Sequence, residues 1–175
     1  MSHVGSCFCG AVTLEVSGSP EAMGYCHCSS CRSWSGGPVN AFSLWKAEAV
    51  QVKRGAEHIA TFEKTAFSQR KYCRVCGGHL MTGHKPAGLI DVFAATIPTL
   101  KFSPGGHVNY AETILPMKDG LPKMKDFPGR IGRLRPTRAG VRRSQTSKIP
   151  ALPPGFSLCR WFCPERANVR GSGRR

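Results

Sequence analysis

The sequence predicts a mainly β domain followed by a basic tail. Short segments in which apolar residues alternate with polar or small ones recur along the first part of the chain, as in half-buried strands. Glycines and prolines separate these segments, and no segment keeps a helical period over three turns. At 175 residues the chain is long enough for one sizeable core, or for a core and a tail.

Five strands are predicted in this part of the chain. The last of them is the most apolar run, and we expect a central strand that ends before Pro98, which lacks an amide donor. The segment 33–38, with its serines, two glycines and a final proline, is predicted to be a loop. The predicted strands cover residues 11–16, 39–45, 49–52, 58–62 and 89–95.

Three groups of cysteines lie between or beside these strands, and they contain seven of the nine cysteines. The first is a C-x-C pair, the second a C-x-C-x-x-C triplet and the third a C-x-x-C pair. On an extended segment the residues of a C-x-C pair face the same side, so both can reach one metal ion. The groups are Cys7 and Cys9; Cys26, Cys28 and Cys31; and Cys73 and Cys76.

Seven clustered thiols predict two metal sites, one with four thiolates and one with three. Zinc normally takes four ligands, so a site with three protein ligands leaves a position for water or substrate. We therefore expect two zinc ions per chain, and a three-ligand remainder is not needed in a purely structural zinc protein. The spacing alone does not fix which cysteines share a metal, since other groupings of four and three can be drawn.

The sequence predicts a cytoplasmic location. The N-terminus lacks a basic start followed by a hydrophobic stretch, and the chain has no apolar run of roughly 18 residues that would predict a transmembrane helix. Reducing conditions in the cytosol disfavour structural disulfides, and clustered cysteines are then more often metal ligands.

The net charge of +15 is unevenly distributed along the chain. Residues 1–128 contain 13 lysines and arginines against nine aspartates and glutamates, whereas residues 129–175 contain 12 against one. The second part is rich in arginine, proline and glycine and has no apolar pattern. We predict that residues 130–175 form a disordered tail, whose phosphate contacts with nucleic acid, if any, would be weak and independent of sequence.

The order of the thiol motifs resembles that of the glutathione-dependent formaldehyde-activating family, which includes the centromere-protein-V-like proteins. The segments C-x-C-G, C-H-C-x-x-C-R and C-x-x-C-G begin here at Cys7, Cys26 and Cys73. The stretch from Gly55 to Phe62 and the segment 119–122 also look like that family. The resemblance covers roughly residues 3–129, which we take as the domain, and does not extend to the tail.

The resemblance implies a zinc-bound antiparallel β-structure of the Mss4-like type. It also implies that the first and last pairs form a closed structural site and that the triplet forms an open catalytic one. The expected activity is that of a carbon–sulfur lyase acting on a thiol adduct, such as S-(hydroxymethyl)glutathione formed from glutathione and formaldehyde. A small-molecule thiol is thus the expected partner, and no membrane partner is expected.

A competing interpretation is a non-catalytic zinc module. In that case both metals are structural, a fourth ligand from elsewhere closes the triplet, and the basic tail contacts nucleic acid. An open position that faces a pocket would distinguish the enzyme from this module.

Four side chains near the motifs are candidates for a role in the site. Arg32 could help to dock the carboxylates of glutathione, or it could simply bond to the loop at Cys31. His27 lies between two expected ligands, and on an extended segment it should point away from them. Trp34 and Phe42 could line the pocket, although packing in the core is the simpler expectation.

Overall fold

The structure is a computed structural model that describes residues 1–127. It confirms the mainly β architecture, whereas the expected boundary at residue 129 and the expected tail lie outside the described residues. The strands are β1 (Ser2–Ser6), β2 (Thr13–Ser17), β3 (Ala22–Cys26), β4 (Asn40–Lys46), β5 (Val50–Arg54), β6 (Ile59–Thr65), β7 (Ser68–Cys73), β8 (His79–His84), β9 (Leu89–Phe93) and β10 (His107–Val108).

The strands form two sheets. A three-stranded antiparallel sheet has the order β1-β2-β5, and a seven-stranded sheet has the order β10-β3-β4-β9-β8-β7-β6. Within the larger sheet all neighbours are antiparallel except β10 and β3. The strand β9 lies in the middle of this sheet between β4 and β8, as expected for the most apolar run.

The strand β4 is buried on both faces, and this arrangement divides the core in two. Trp45 belongs to a cluster in which β2 of the small sheet packs against β8 and β9 of the large one. Phe42 and Leu44, which alternate with it along the strand, belong to a second cluster with Cys26. One face of the large sheet therefore packs against the small sheet. The opposite face carries the second cluster and is available for a site.

A short helix, α1 (Ser29–Ser35), stands where the sequence predicted a loop over 33–38. The prediction was wrong for residues 33–35 because seven residues are too few to show a helical period. The side chain of Cys28 caps the helix by accepting a hydrogen bond from the backbone N–H of Cys31, and Gly36 ends it with a φ of 67°. Single 3₁₀ turns lie at Ala47–Ala49, Ala56–His58, Lys85–Ala87, Ala94–Thr96 and Tyr110–Glu112.

The first cysteine pair lies in a tight turn rather than on an extended segment. Strand β1 ends at Ser6, and the backbone N–H of Gly10 donates to the carbonyl of Cys7 at 3.0 Å. The turn brings both thiols to one side by a different route from that predicted. Five strands that carry no clear alternation, β1, β3, β7, β8 and β10, were also not predicted. Among residues 1–127 no helix has both the length and the apolar character needed to cross a bilayer.

A buried hydrogen-bond relay connects the two central strands and yields a prediction about stability. The indole Nε1 of Trp45 donates to Ser43 Oγ at 2.9 Å, and Ser43 Oγ donates to the carbonyl of Val92 at 2.9 Å. We expect Ser43→Ala to lower the free energy of unfolding by about 1–3 kcal/mol, because the indole N–H stays buried without an acceptor.

The matched background is Trp45→Phe, which removes the indole N–H. Ser43→Ala should cost less there, so a double-mutant cycle should give a clear coupling energy. Denaturant unfolding of the four proteins at one fixed zinc concentration measures this. If Ser43→Ala lowers the free energy of unfolding equally in both backgrounds, the hydrogen bond from the indole does not contribute to stability.

Candidate metal centres and cavity

The first and last cysteine pairs come together at one end of the fold. The Sγ atoms of Cys7, Cys9, Cys73 and Cys76 all lie within 4.8 Å of one another. Cys7 Sγ is 3.6 Å from Cys9 Sγ, and Cys9 Sγ is 4.0 Å from Cys73 Sγ. Four sulfurs at about 2.3 Å from a tetrahedral zinc ion are about 3.8 Å apart. The spacing in this four-thiol group therefore fits a closed zinc site.

Backbone donors point at the sulfurs of the four-thiol group. The N–H of Val12 donates to Cys7 Sγ at 3.2 Å, and the N–H of Gly78 donates to Cys76 Sγ at 3.4 Å. The N–H of Gly78, followed by that of Cys9, lowers the pKa of the Cys76 thiol to about 6. Such donors stabilise the thiolate, which is the form that binds a metal.

The end of β5 and the turn after it contact the loop that carries Cys7 and Cys9. Arg54 Nη2 donates to the carbonyl of Gly10 at 2.7 Å. Gly55 has a φ of 75°, and a Cβ there would lie 2.1 Å from the carbonyl oxygen of Ala11. Glycine is therefore required at position 55 both for its backbone conformation and for the close approach to the thiol loop.

The cysteines of the triplet form a second, separate sulfur group. Their Sγ atoms also lie within 4.8 Å of one another. Cys26 ends β3, Cys28 caps α1 and Cys31 lies in the first turn of that helix. The N–H of Cys31 donates to Cys28 Sγ at 3.3 Å, and Asn109 Nδ2 donates to Cys26 Sγ at 3.4 Å. This three-thiol group is thus assembled by one strand end, one helix start and a loop near β10.

Hydrogen bonding among the three thiols distributes their negative charge unevenly. Bonds with Cys26 and then with Cys31 lower the pKa of Cys28. The same contacts raise the pKa of Cys31, with Cys26 as the largest cause, and the bond with Cys28 raises that of Cys26. These contacts favour the thiolate form of Cys28 over that of Cys31.

His27 points away from the three-thiol group, as expected for the residue between Cys26 and Cys28. It is fully buried, with Nε2 at 2.8 Å from His107 Nδ1 and Nδ1 at 2.9 Å from Thr113 Oγ. Burial, followed by the electrostatic effect of His107, lowers the pKa of His27 to about 4, so the ring of His27 is neutral at neutral pH.

The contacts of His27 tie the triplet to the last described segment. His107 Nε2 is 2.8 Å from Asp119 Oδ2, and Lys123 Nζ donates to Asp119 Oδ1 at 2.7 Å. The bond from Lys123, followed by that from His107, holds the pKa of Asp119 well below its usual range. Through these contacts the segment 119–123 supports the loop of the three-thiol group on the side of His27, away from the sulfurs.

Arg32 acts within the same loop. Its Nε donates to the carbonyl of His27 at 2.9 Å, and it does not line the cavity described below. This contact agrees with the simpler expectation, in which Arg32 bonds within the thiol loop. Trp34 likewise stays outside the cavity and stacks on Phe62 and His79.

The three-thiol group opens into a cavity of about 410 Å³. This volume lies within the range of small-molecule sites, roughly 300–1,000 Å³. All three cysteines of the triplet line it, whereas no cysteine of the four-thiol group does. The remaining polar lining residues are His84, Asp91 and Asn109. The apolar lining residues are Phe42, Leu44, Phe67, Pro86, Ala87, Leu89, Val108 and Phe127.

Asp91 is the carboxylate of this cavity wall. It lies on β9 opposite Leu44 of β4 and Thr82 of β8, so it faces the cavity side of the sheet. Its Oδ1 is buried and has no hydrogen-bond partner among the described residues. Burial raises the pKa of Asp91 to about 7, against the opposing effect of Arg70. Burial also lowers the pKa of His84, so the cavity favours uncharged forms of both groups.

Arg70 pairs with Thr82 across β7 and β8, so it lies on the same face of the sheet as Asp91, although it does not line the cavity. It links β7 to the triplet helix. The side chain is buried, its Nη2 donates to Ser30 Oγ at 3.0 Å, and its guanidinium lies 5.5 Å from the ring centroid of Trp34. Ser30 stands between two cysteines of the triplet, so Arg70 holds the helix that carries them.

Four residues at or beside the site were not predicted from the sequence: Asp91, His84, Asn109 and Arg70. One signal was present: Asp91 is a charged residue inside the most apolar run of the chain. The others had no local signal, because strand pairing alone brings them to the triplet. Within residues 1–127 the triplet has no fourth Cys, His, Asp or Glu whose ligand atom joins its group.

Two curated proteins are similar to part of this chain. An uncharacterized lyase of Schizosaccharomyces pombe is 30% identical over 75 residues, which cover 43% of this chain and 53% of the relative. A protein of Halomonas elongata named putative glutathione-dependent formaldehyde-activating enzyme is 35% identical over 82 residues, which cover 43% and 52%. The chain thus spans about half the length of the curated relatives it matches.

A solved structure and a protein family also match. A crystal structure of a Rhodobacter sphaeroides protein has a TM-score of 0.48 at 24% identity, covering 56% of this chain and 90% of that one. Residues 2–111 match the family described as glutathione-dependent formaldehyde-activating enzyme. Since this match covers more than half of the sequence, the chain belongs to that family.

Proposed function

We propose that this chain is a zinc-dependent carbon–sulfur lyase that acts on the adduct of a thiol with a small aldehyde. The family name suggests one specific reaction, in which glutathione and formaldehyde give S-(hydroxymethyl)glutathione. The observation that carries the proposal is the position of the three-thiol group, whose three members all line the cavity. The four-thiol group, in contrast, is complete and lies away from it.

Each sulfur group is assigned one zinc ion in this proposal. Cys7, Cys9, Cys73 and Cys76 would hold the structural ion, and Cys26, Cys28 and Cys31 would hold the catalytic one. The seven described cysteines are free thiols, which suits metal binding in a reducing compartment such as the cytoplasm. The absence of a fourth ligand for the triplet within residues 1–127 supports the enzyme over the non-catalytic zinc module.

The residues around the triplet prepare it for chemistry. When bound there, zinc supplies a Lewis acid that keeps a substrate thiol deprotonated. Asn109 and the backbone N–H of Cys31 fix the sulfurs of Cys26 and Cys28 by hydrogen bonds. The apolar wall of the cavity offers few hydrogen-bond partners to water, which would otherwise compete for the aldehyde carbon.

The reaction itself balances without a redox partner. In adduct formation the lone pair of the substrate sulfur forms a bond to the aldehyde carbon, and the π pair of the carbonyl moves to oxygen. The oxygen takes up one proton, which replaces the one lost by the thiol. In the lyase direction the hydroxyl gives up its proton, the carbonyl re-forms, and the electrons of the broken C–S bond return to sulfur.

The first prediction from the proposed function distinguishes the two zinc sites. Cys28→Ser should lose the triplet zinc, because Cys26 and Cys31 alone form a weak two-point clip. Zinc per chain should fall from two to one and catalysis should fall to the spontaneous rate, while thermal unfolding stays cooperative. Ser33→Ala on the exposed side of the same helix is the control and should keep both ions. Global unfolding of Cys28→Ser would favour the non-catalytic zinc module.

The second prediction concerns the four-thiol group. Cys73→Ser should unfold the domain, since a structural zinc site contributes its binding free energy directly to folding. Circular dichroism melting of the variant should lack the cooperative transition of the parent. Val75→Ser, at an exposed position between the same two ligands, should melt like the parent. A normal transition in Cys73→Ser would refute the assignment of this group as the structural site.

The third prediction tests the activity. The full-length zinc-loaded chain should accelerate the exchange of ¹³C-formaldehyde with its thiol adduct above the spontaneous rate, as measured by NMR exchange spectroscopy. Glutathione is the first thiol to test, and Cys28→Ser is the inactive control. Failure of acceleration with glutathione and with uncharged thiols alike, at two zinc ions per chain, would refute the proposed lyase.

A further inference from the structure

We propose, as a refinement that rests on the proposed function, that the preferred thiol carries an uncharged, apolar substituent on its sulfur. A thiol with carboxylates, such as glutathione, is then the poorer substrate. The inference comes from the chemistry of the cavity wall, which is drawn from residues outside the cysteine motifs. It therefore assigns a substrate class to the site that the motifs do not specify.

The wall of the cavity is mostly hydrocarbon. Beyond the three cysteines, Phe42 and Leu44 form its floor on β4, and both are more than nine-tenths buried. Phe67 and Phe127, which are 67% and 49% exposed, form its outer part. A substituent on a sulfur held at the triplet must pass along these surfaces. Burial of an apolar group there is favourable, whereas burial of an unpaired carboxylate is costly.

The charged groups near the cavity also favour a thiol with an uncharged, apolar substituent. Within residues 1–127 the lining contains no lysine or arginine, and its carboxylate, Asp91, repels other carboxylates when it is ionised. The two arginines near the triplet lie outside the lining. Arg32 Nε bonds to the carbonyl of His27, and Arg70, on the same face of the sheet as Asp91, bonds to Ser30 Oγ. Among the described residues, the lining thus provides no lysine or arginine to pair with the carboxylates of glutathione.

Asp91 also gives the cavity a place for the hydroxyl of the adduct. Its buried Oδ1 has no hydrogen-bond partner among the described residues, and such groups in native proteins are usually satisfied by a ligand or water. The S-hydroxymethyl group of an adduct has one hydroxyl, which can donate to this oxygen. An apolar body with a single hydroxyl therefore matches the composition of the lining.

A matched pair of thiols isolates the effect of charge. Phenylmethanethiol and 4-(mercaptomethyl)benzoate share one carbon body and differ by a carboxylate. With zinc-loaded full-length protein, we expect kcat/KM for hydroxymethyl exchange, divided by the spontaneous rate, to be at least about tenfold higher for the uncharged thiol. Glutathione should resemble the charged member of the pair.

Variants of the wall should change this ratio in a predictable direction. Phe67→Arg places a cation at the outer part of the cavity and should raise the relative rate for the benzoate and for glutathione. Asp91→Asn removes the acidic charge at nearly constant size and should reduce the discrimination as well. Val4→Arg, at an exposed position on β1 outside the cavity, is the control for added charge and should leave the ratio unchanged.

Binding of unreactive thioethers gives a readout that does not depend on catalysis. Benzyl methyl sulfide should bind the zinc-loaded protein more tightly than 4-(methylsulfanylmethyl)benzoate in calorimetric titrations. If glutathione and the benzoate react as fast as phenylmethanethiol or faster, the substrate class is wrong while the lyase stands. If no thiol reacts, the lyase is wrong, and equal or tighter binding of the charged thioether would overturn the substrate class on its own.

Discussion

The four-thiol group is the constraint on which the rest of the fold depends. Cys9 and Cys73 are 64 residues apart in the chain, yet their sulfurs lie 4.0 Å apart. To bring them together, the end of β1 must meet the end of β7, and the small sheet must pack across the large one. The buried cluster around Leu14, Trp45 and Val92 forms where this packing occurs. A domain of this size buries a modest core, and a zinc ion bound by both sheets would add folding free energy at their junction.

The double-faced strand β4 then links stability to the site. Ser43 and Trp45 point into the core between the sheets, while Phe42 and Leu44 line the cavity. Because side chains alternate strictly along a strand, one register fixes both sets. The same register places Asp91 beside Leu44 on the cavity face and Val92 on the core face. A shift by one residue would therefore disrupt the core and the cavity together, which makes the wall as well determined as the core.

The sequence predicted the parts of the molecule that have local signals. The alternating segment 39–45 and the apolar run 89–95 contain the strands β4 and β9, although residues 94–95 belong to a 3₁₀ turn. The thiol motifs, together with the family resemblance, predicted both sulfur groups. The helix α1 was missed because its single capped stretch of seven residues follows from the thiol loop rather than from a helical pattern. Strand β3 was missed because Met23, Gly24 and Tyr25 do not alternate. Most of the cavity wall could not be predicted, since its polar residues come from three different segments that only pairing brings together.

The cysteine ligands lie in short motifs of the sequence, whereas the cavity wall is built from segments that are far apart in the chain. This difference bears on how substrate specificity arises. A zinc ion with three thiolates has a net negative charge, so its own field already disfavours an anionic substituent near the substrate sulfur. Cations on the wall would offset that field for a substituent that carries carboxylates. In residues 1–127 of this chain the lining supplies Asp91 instead, and the arginines near the triplet bond to the backbone carbonyl of His27 and to Ser30. In the proposed lyase, residues of β4, β9 and the loops beside them, rather than the cysteine motifs, would determine which thiol is accepted.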